Sequence, residues 1–276
     1  MVVISSMRIT NRIRSTMHIC AEATVVHPST MDELLSYSGY PVIGFCSNLI
    51  PDPNKLSMED VFVALDEEAF SGISIDGSRV TVGAGAILYG LVIKTVDRGL
   101  IGFEGLAGIP GTVGGALKMN AGGRHGNISD NLISVKVLRD NQYITIPKSD
   151  IVFGNRYSDI DGIIVSAIFE LTLSDYSYIP KLYMDGVVKG KGYSQPLSDY
   201  SCGCFFKTCE AGRIIDECGL KGFAYNGAMI SRKHANFIIN YNNATFDDIV
   251  MLEAVVKHTV LVEQGIILER EIVYLP

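Results

Sequence analysis

Six glycines stand within fifteen residues, Gly102-Phe103-Glu104-Gly105-Leu106-Ala107-Gly108-Ile109-Pro110-Gly111-Thr112-Val113-Gly114-Gly115-Ala116, and two more close the segment in Met119-Asn120-Ala121-Gly122-Gly123. Glycine tolerates positive φ and carries no Cβ, so this density predicts a turn-built cradle that brings backbone against a flat or anionic ligand. A tight buried turn is the alternative, but loops that only turn rarely use so many glycines in succession.

The rest of the chain must supply a core around that cradle, and 276 residues at 47% hydrophobic content suffice for one large domain or two. A net charge of -7 without a lysine or arginine block excludes an electrostatic footprint for nucleic acid or an anionic membrane surface. The start, Met1 to Arg8, lacks the pattern of a secretory signal, and no apolar run is long enough to span a bilayer. Six cysteines in that context predict reduced thiols in a cytoplasmic protein.

From about Val42 to Val92 the chain reads as short β-rich runs, with Arg79-Val80-Thr81-Val82 turning through Gly83-Ala84-Gly85 into an apolar helix. Helix starts are expected after Ser29-Thr30 and at Thr245, where Asp248 completes a capping-box-like pair. Ile249, Leu252, Val255, Val256 and Val260 then form one packing stripe. A domain boundary is expected between Leu173 and Gln195, where serines, tyrosines and glycines dilute the apolar content. Beyond it a short helix is expected over Ala211 to Cys218, a strand over Asn236 to Asn240, and a closing strand over Ile266 to Tyr274.

The glycine-rich run with Met119 to Gly122, Phe153-Gly154-Asn155-Arg156-Tyr157-Ser158, Gln195-Pro196-Leu197, Gly203-Cys204-Phe205-Phe206-Lys207 and Ala211 to Gly222 are five separated matches to one family; Ser231 to Asn240 and Gly265 to Ile272 add two more. The chain resembles the bacterial flavoenzymes called UDP-N-acetylenolpyruvoylglucosamine reductases, in their shorter type II form, over roughly Pro41 to the C-terminus. The resemblance implies an α+β fold: an FAD-binding domain of the PCMH or vanillyl-alcohol-oxidase-like type over residues 1–175, then a smaller α+β substrate-binding domain over 176–276. It implies FAD as cofactor, NADPH as reductant and UDP-N-acetylenolpyruvoylglucosamine as substrate, reduced to UDP-N-acetylmuramate for peptidoglycan. The protein is expected to be a monomer or weak dimer.

In that family the glycine-rich run lies along the FAD, which implies that Gly108, Ile109, Pro110, Gly111, Thr112, Gly114, Gly115 and Ala116 line the cofactor with backbone amides. Gly44, Ser47 and Asn48 match the second cofactor loop. There Cys46 takes a position that is usually glycine, and its Cβ is expected to crowd the pyrophosphate. Cys20-Ala21 stand where the family tends to carry a glycine pair. Arg156 matches the arginine that forks the substrate carboxylate, after Asn155 in place of the usual tyrosine.

The reaction builds enolate-like charge and then needs a proton. Cys204 stands where most members use a serine as donor, and a thiol with an unperturbed pKa of about 8.5 is mostly protonated at neutral pH. Lys207 matches a lysine near the substrate's anionic groups, with Thr208-Cys209 replacing a common Asn-Pro. Asn120 is a further substrate contact. Glu271 is assigned as the third catalytic residue, with Glu269, two residues away, open by spacing. His234 is read as structural.

Three rivals are defined. A non-catalytic UDP-sugar-binding relative with a weakened FAD site accommodates Cys20, Cys46 and Thr208-Cys209. An oxidase of the same FAD-binding type has no need of Cys204 and Glu271. A metal protein would use Cys202, Cys204, Cys209 and Cys218, but their spacing fits neither a zinc ribbon nor an iron–sulfur run, and no metal is expected.

Overall fold

The computed structural model describes residues 7–276, so the reading of the Met1–Arg8 start rests, up to Ser6, on residues outside those described. The chain is α+β and divides into two compact units that interleave in sequence. The first comprises the described residues through Thr10 together with Thr24–Phe45 and Val61–Lys189; the second comprises Asn11–Ala23, Cys46–Asp60 and Gly190–Pro276. This partition differs from contiguous halves meeting at 175/176. Met17, Ile19 and Ile50 belong to the same buried cluster as Phe205, Ile215 and Leu252, which draws two N-terminal excursions into the second unit.

The first unit is organised on a five-stranded antiparallel sheet in the order Gln142–Pro147, Leu132–Arg139, Ile163–Glu170, Arg79–Gly83, Ile73–Asp76. Val80 faces Phe169, and Val82 faces Ala167. These residues share one buried cluster with Val135, Val137 and the helix Leu88–Asp97, which contributes Leu88, Leu91, Val92 and Val96. Alternation in Arg79–Gly83 puts Val80 and Val82 inward and leaves Arg79 and Thr81 exposed, as period-two side-chain placement requires. Asp140 and Asn141 close a two-residue hairpin with φ of +50° and +58°, values that match the right-handed strand twist.

The second unit packs helix Phe246–Gln264 and helix Ala211–Glu217 with the three-stranded sheet Ala224–Tyr225, Ala228–Ile230, Ile238–Asn240. The long helix starts with the expected reciprocal cap: the Thr245 hydroxyl accepts from Asp248 N, and the Asp248 carboxylate accepts from Thr245 N. Ile249, Leu252, Val256 and Val260 are buried along its stripe, and Val255 is half-buried. Glu253 is buried beside them, against what a polar side chain on a helix predicts.

Two element expectations change. The diluted stretch after Leu173 contains a helix, Ile179–Ser194, whose Pro180, Met184 and Val187 bury a narrow face that its glycines and tyrosines obscure in the sequence. The closing strand shrinks to Val273–Leu275, which pairs in parallel with Leu49–Pro51. Ahead of it Arg270 makes only an isolated bridge to Phe206. Among the described residues no helix is long and apolar enough to cross a membrane.

Candidate functional site

In the first unit the glycine-rich run leaves strand Leu100–Ile101, makes one 3-10 turn at Glu104–Leu106 and enters helix Val113–Lys118. A Cβ at Gly102, Gly105 or Gly114 would lie 2.7 Å from Asn131 Nδ2, 2.3 Å from the His125 carbonyl oxygen or 3.0 Å from Ala84 Cβ. These three glycines therefore let the chain pack on itself. Gly108 and Gly111 hold φ of +76° and +133° and serve the turn. Gly115 differs: it is exposed, and an added Cβ would meet only Thr112 Oγ1 at 3.4 Å.

The expected lining by backbone amides is corrected at the helix. Val113 N donates to Ala86 O, Gly114 N to Ala84 O, Gly115 N to Thr112 Oγ1 and Ala116 N to Thr112 O. Ile109 N donates to Leu106 O. What Gly115 offers outward is bare backbone surface, because its donor is engaged by the helix cap. Gly44 is drawn to the same place, since a Cβ on it would stand 2.7 Å from Thr112 Oγ1.

Asn120 and Arg156 are laced together in the first unit. Asn120, 7% exposed and at φ +43°, donates from Nδ2 to Gly154 O at 3.0 Å. Arg156, in the two-residue turn between strands Phe153–Gly154 and Tyr157–Ser158, donates from Nη2 to Gly122 O at 3.0 Å. Each side chain binds the backbone two residues from the other. Asn120 Oδ1 is buried with no hydrogen-bond partner. Arg156 holds φ +57°, where a residue with a Cβ is strained.

The second unit gathers Cys204, Lys207, Asn48 and Glu271. Glu271 N donates to Phe205 O at 2.9 Å, Lys207 N donates to Glu269 O at 2.9 Å, and Phe206 bridges Arg270 between them. The half-buried Cys204 thus stands at the end of a short ladder whose other rail carries both candidate carboxylates. The two residues make different contacts. Glu269 is exposed and pairs with Lys207 Nζ at 3.1 Å, with its N–H donating to Thr208 Oγ1 at 2.8 Å. Glu271 accepts at its carbonyl from Asn48 Nδ2 at 3.2 Å, which joins it to the predicted cofactor loop. Thr208, noted only as a departure from the family, has a structural task here.

Cys46 sits at φ +49°, a conformation that favours glycine, and its side chain is buried. Burial first, then Cys202, pushes its thiol up to about 12. The substitution leaves a left-handed non-glycine residue, a cost of about 1–2 kcal/mol. Cys20 is half-buried, with Sγ 3.7 Å from His18 O.

Sequence reasoning missed Asn236. This residue, 7% exposed, accepts from Phe206 N at Oδ1, donates from Nδ2 to Phe206 O at 2.8 Å, and takes Phe205 N on its own carbonyl. Its carboxamide replaces a neighbouring strand beneath the thiol-bearing segment. Asn236→Ala orphans both backbone groups of buried Phe206 and is expected to cost roughly 2–5 kcal/mol in urea unfolding, with Asn236→Asp between it and wild type. An unfolding midpoint unchanged in Asn236→Ala would contradict this. His234 accepts from Asn236 N at Nδ1, and burial, then Lys221, lowers its pKa. Among the described residues no group of three or more His, Cys, Asp or Glu is arranged to hold a metal ion.

Two family models match the chain: "FAD binding domain" over residues 41–144 and "UDP-N-acetylenolpyruvoylglucosamine reductase, C-terminal domain" over residues 195–275. Among curated proteins, the UDP-N-acetylenolpyruvoylglucosamine reductase of Pediococcus pentosaceus is 36% identical, over 84% of this chain and 78% of that one. The enzyme of the same name from Enterococcus faecalis is 35% identical, over 88% and 83%. Among solved structures, the UDP-N-acetylenolpyruvylglucosamine reductase of Thermus caldophilus superposes with a TM-score of 0.86 at 34% identity, covering 98% of this chain and all of that one. Identity at this level over most of both lengths, with matched models in both halves, places the chain in the UDP-N-acetylenolpyruvoylglucosamine reductase family.

Proposed function

We propose that this protein is an FAD-dependent enzyme that uses NADPH to reduce the enolpyruvyl group of UDP-N-acetylenolpyruvoylglucosamine to the lactyl group of UDP-N-acetylmuramate. The observation that carries the reading is the short ladder that sets Cys204 beside a rail bearing Glu271, with Asn48 bonded to the same rail. The relatives that match over most of both lengths carry the name of the enzyme, which speaks against the rival non-catalytic reading.

The residues present fit a flavin dinucleotide on two counts. Asn120 Oδ1 is a buried acceptor without a donor, and Gly115 is a bare, exposed position that internal packing does not require. Gly108 to Ala116, Gly44, Ser47 and Asn48 would hold the cofactor, which when bound supplies the hydride drawn from NADPH.

Arg156 binds the substrate carboxylate through its planar fork. Hydride addition at the terminal carbon of the enolpyruvyl group leaves an electron pair on the carbon beside that carboxylate, and the charge spreads into it. The guanidinium stabilises this charge as it develops, which a merely ground-state contact does not do. Cys204 then gives its Sγ proton to the carbanionic carbon, and Glu271 orders the groups around that transfer. Lys207 meets the remaining anionic groups of the substrate. Its pair with Glu269 is solvent-exposed and worth about 0–1 kcal/mol, so the lysine can exchange it for a substrate anion.

Anaerobic stopped-flow tests the reading. NADPH should bleach the flavin band, and UDP-N-acetylenolpyruvoylglucosamine should restore it, with UDP-N-acetylmuramate as the product. Bleaching without substrate-dependent recovery would overturn the proposal.

A further inference from the structure

Glu253 is a buried carboxylate that the reaction does not use. It lies on helix Phe246–Gln264, 5% exposed, and its charge is met by two hydrogen-bond donors and one further cation. Tyr274 Oη donates to Oε2 at 2.5 Å, Arg270 Nη1 lies 3.3 Å from the same oxygen, and Lys257 Nζ lies 2.6 Å from Oε1 as an ion pair that leaves this oxygen without a hydrogen bond. The Arg270 guanidinium also stacks on the Tyr274 ring at 3.8 Å, and that ring meets Phe246 edge-on at 5.0 Å. Burial, then the Glu253 carboxylate, raises the phenol's pKa far above its ordinary value, so Tyr274 remains a donor.

The two donors, Arg270 and Tyr274, flank Glu271 in sequence. Residues 266–269 form no regular element, and 270 makes one isolated bridge, so little backbone pairing holds this segment until Val273 joins Leu49–Pro51. Arg270 is at the same time the residue opposite Phe206, and the two ladder bonds, Glu271 N to Phe205 O and Lys207 N to Glu269 O, lie on either side of it. A slip of Arg270 would move both candidate carboxylates against the Cys204–Lys207 rail. Removing the half-buried Arg270 from the buried Glu253 carboxylate leaves that charge less well met, so the pair resists such a slip.

We infer that Glu253 is a positioning residue: by gripping Arg270 and Tyr274 it fixes the register of the Glu269–Glu271 segment against Cys204–Lys207. The consequence for catalysis rests on the role of Glu271 proposed above. The grip itself does not, and can be read without substrate.

The test uses Glu253→Gln, which keeps the shape and removes the charge, and Tyr274→Phe, which removes one donor while leaving the ring packed. Backbone amide exchange is measured at Lys207 and Glu271 together with anaerobic flavin reduction and reoxidation. Exchange at these two amides should quicken by about 10-fold or more, with the amides of Ile238–Asn240 unchanged. Reoxidation by UDP-N-acetylenolpyruvoylglucosamine should slow by about 10-fold, while reduction by NADPH keeps its rate. Unchanged exchange at Lys207 and Glu271 in both variants would overturn the inference, as would acceleration spread evenly over the second unit, the mark of a general strut. A wild-type enzyme that this substrate does not reoxidise would refute the proposed function, and the exchange result would still decide whether Glu253 sets the register.

Discussion

Cys204→Ala is expected to keep the NADPH-driven bleaching of the flavin at its wild-type rate and to slow the substrate-driven recovery by about 10²- to 10⁴-fold, the usual worth of a positioned general acid. The asymmetry follows from what the thiol does. Reduction of the cofactor needs no proton from Cys204, whereas the carbanion left after hydride addition cannot be completed without one. Gly203 holds φ +81° just before the cysteine, and Asn236 clamps Phe206 just after it, so the alanine variant should preserve the local backbone. Cys204→Ser replaces the S–H with an O–H donor of nearly the same reach and should recover most of the lost rate. Stopped-flow traces of the two half-reactions, taken on the same preparations, measure the split. Equal slowing of both halves in Cys204→Ala would show a disturbed fold instead of a missing proton, and an unchanged second half would remove Cys204 from the mechanism.

Local patterns in the sequence were enough to predict the Thr245–Asp248 cap, the stripe from Ile249 to Val260 and the strand Arg79–Gly83, because each is decided by neighbours a few residues away. The density of glycines was equally plain, but its causes were not. Only contacts with Asn131, His125 and Ala84 reveal that Gly102, Gly105 and Gly114 serve internal packing and that Gly115 does not. Long-range partners left no local trace: the parallel pairing of Leu49–Pro51 with Val273–Leu275 draws a distant early segment into the second unit. Asn236 and Glu253 were illegible for the same reason, since a polar residue's meaning depends on which buried backbone or charge it meets. Cys204, Lys207 and Glu271 could be picked out through family motifs, whereas the ion pair of Glu269 with Lys207 and the Asn48 bond to the Glu271 backbone carbonyl left no trace in the spacing.

Arg156 offers a test in which stability and activity should move apart. An arginine at φ +57° bears a conformational cost of about 1–2 kcal/mol that glycine would not, and its hydrogen bond to Gly122 O returns about 1.5–3 kcal/mol at most, less for a group only partly buried. Arg156→Gly should therefore lose less stability than removal of the side-chain contacts alone would cost, since relief of strain offsets part of that loss and of the added freedom of the unfolded chain. Turnover should fall much further. Loss of a donor aimed at developing charge costs about 10²- to 10³-fold in kcat, and loss of the carboxylate fork raises KM for UDP-N-acetylenolpyruvoylglucosamine in addition. Arg156→Lys keeps the charge without the fork and should lie between them, with most of its deficit in kcat, because a point charge follows the moving electron density less well than two parallel donors. The NADPH step should be untouched in both variants. Strain retained at a turn where glycine would relax it fits a side chain kept for its chemistry, and an Arg156→Gly enzyme with wild-type reoxidation would break that link.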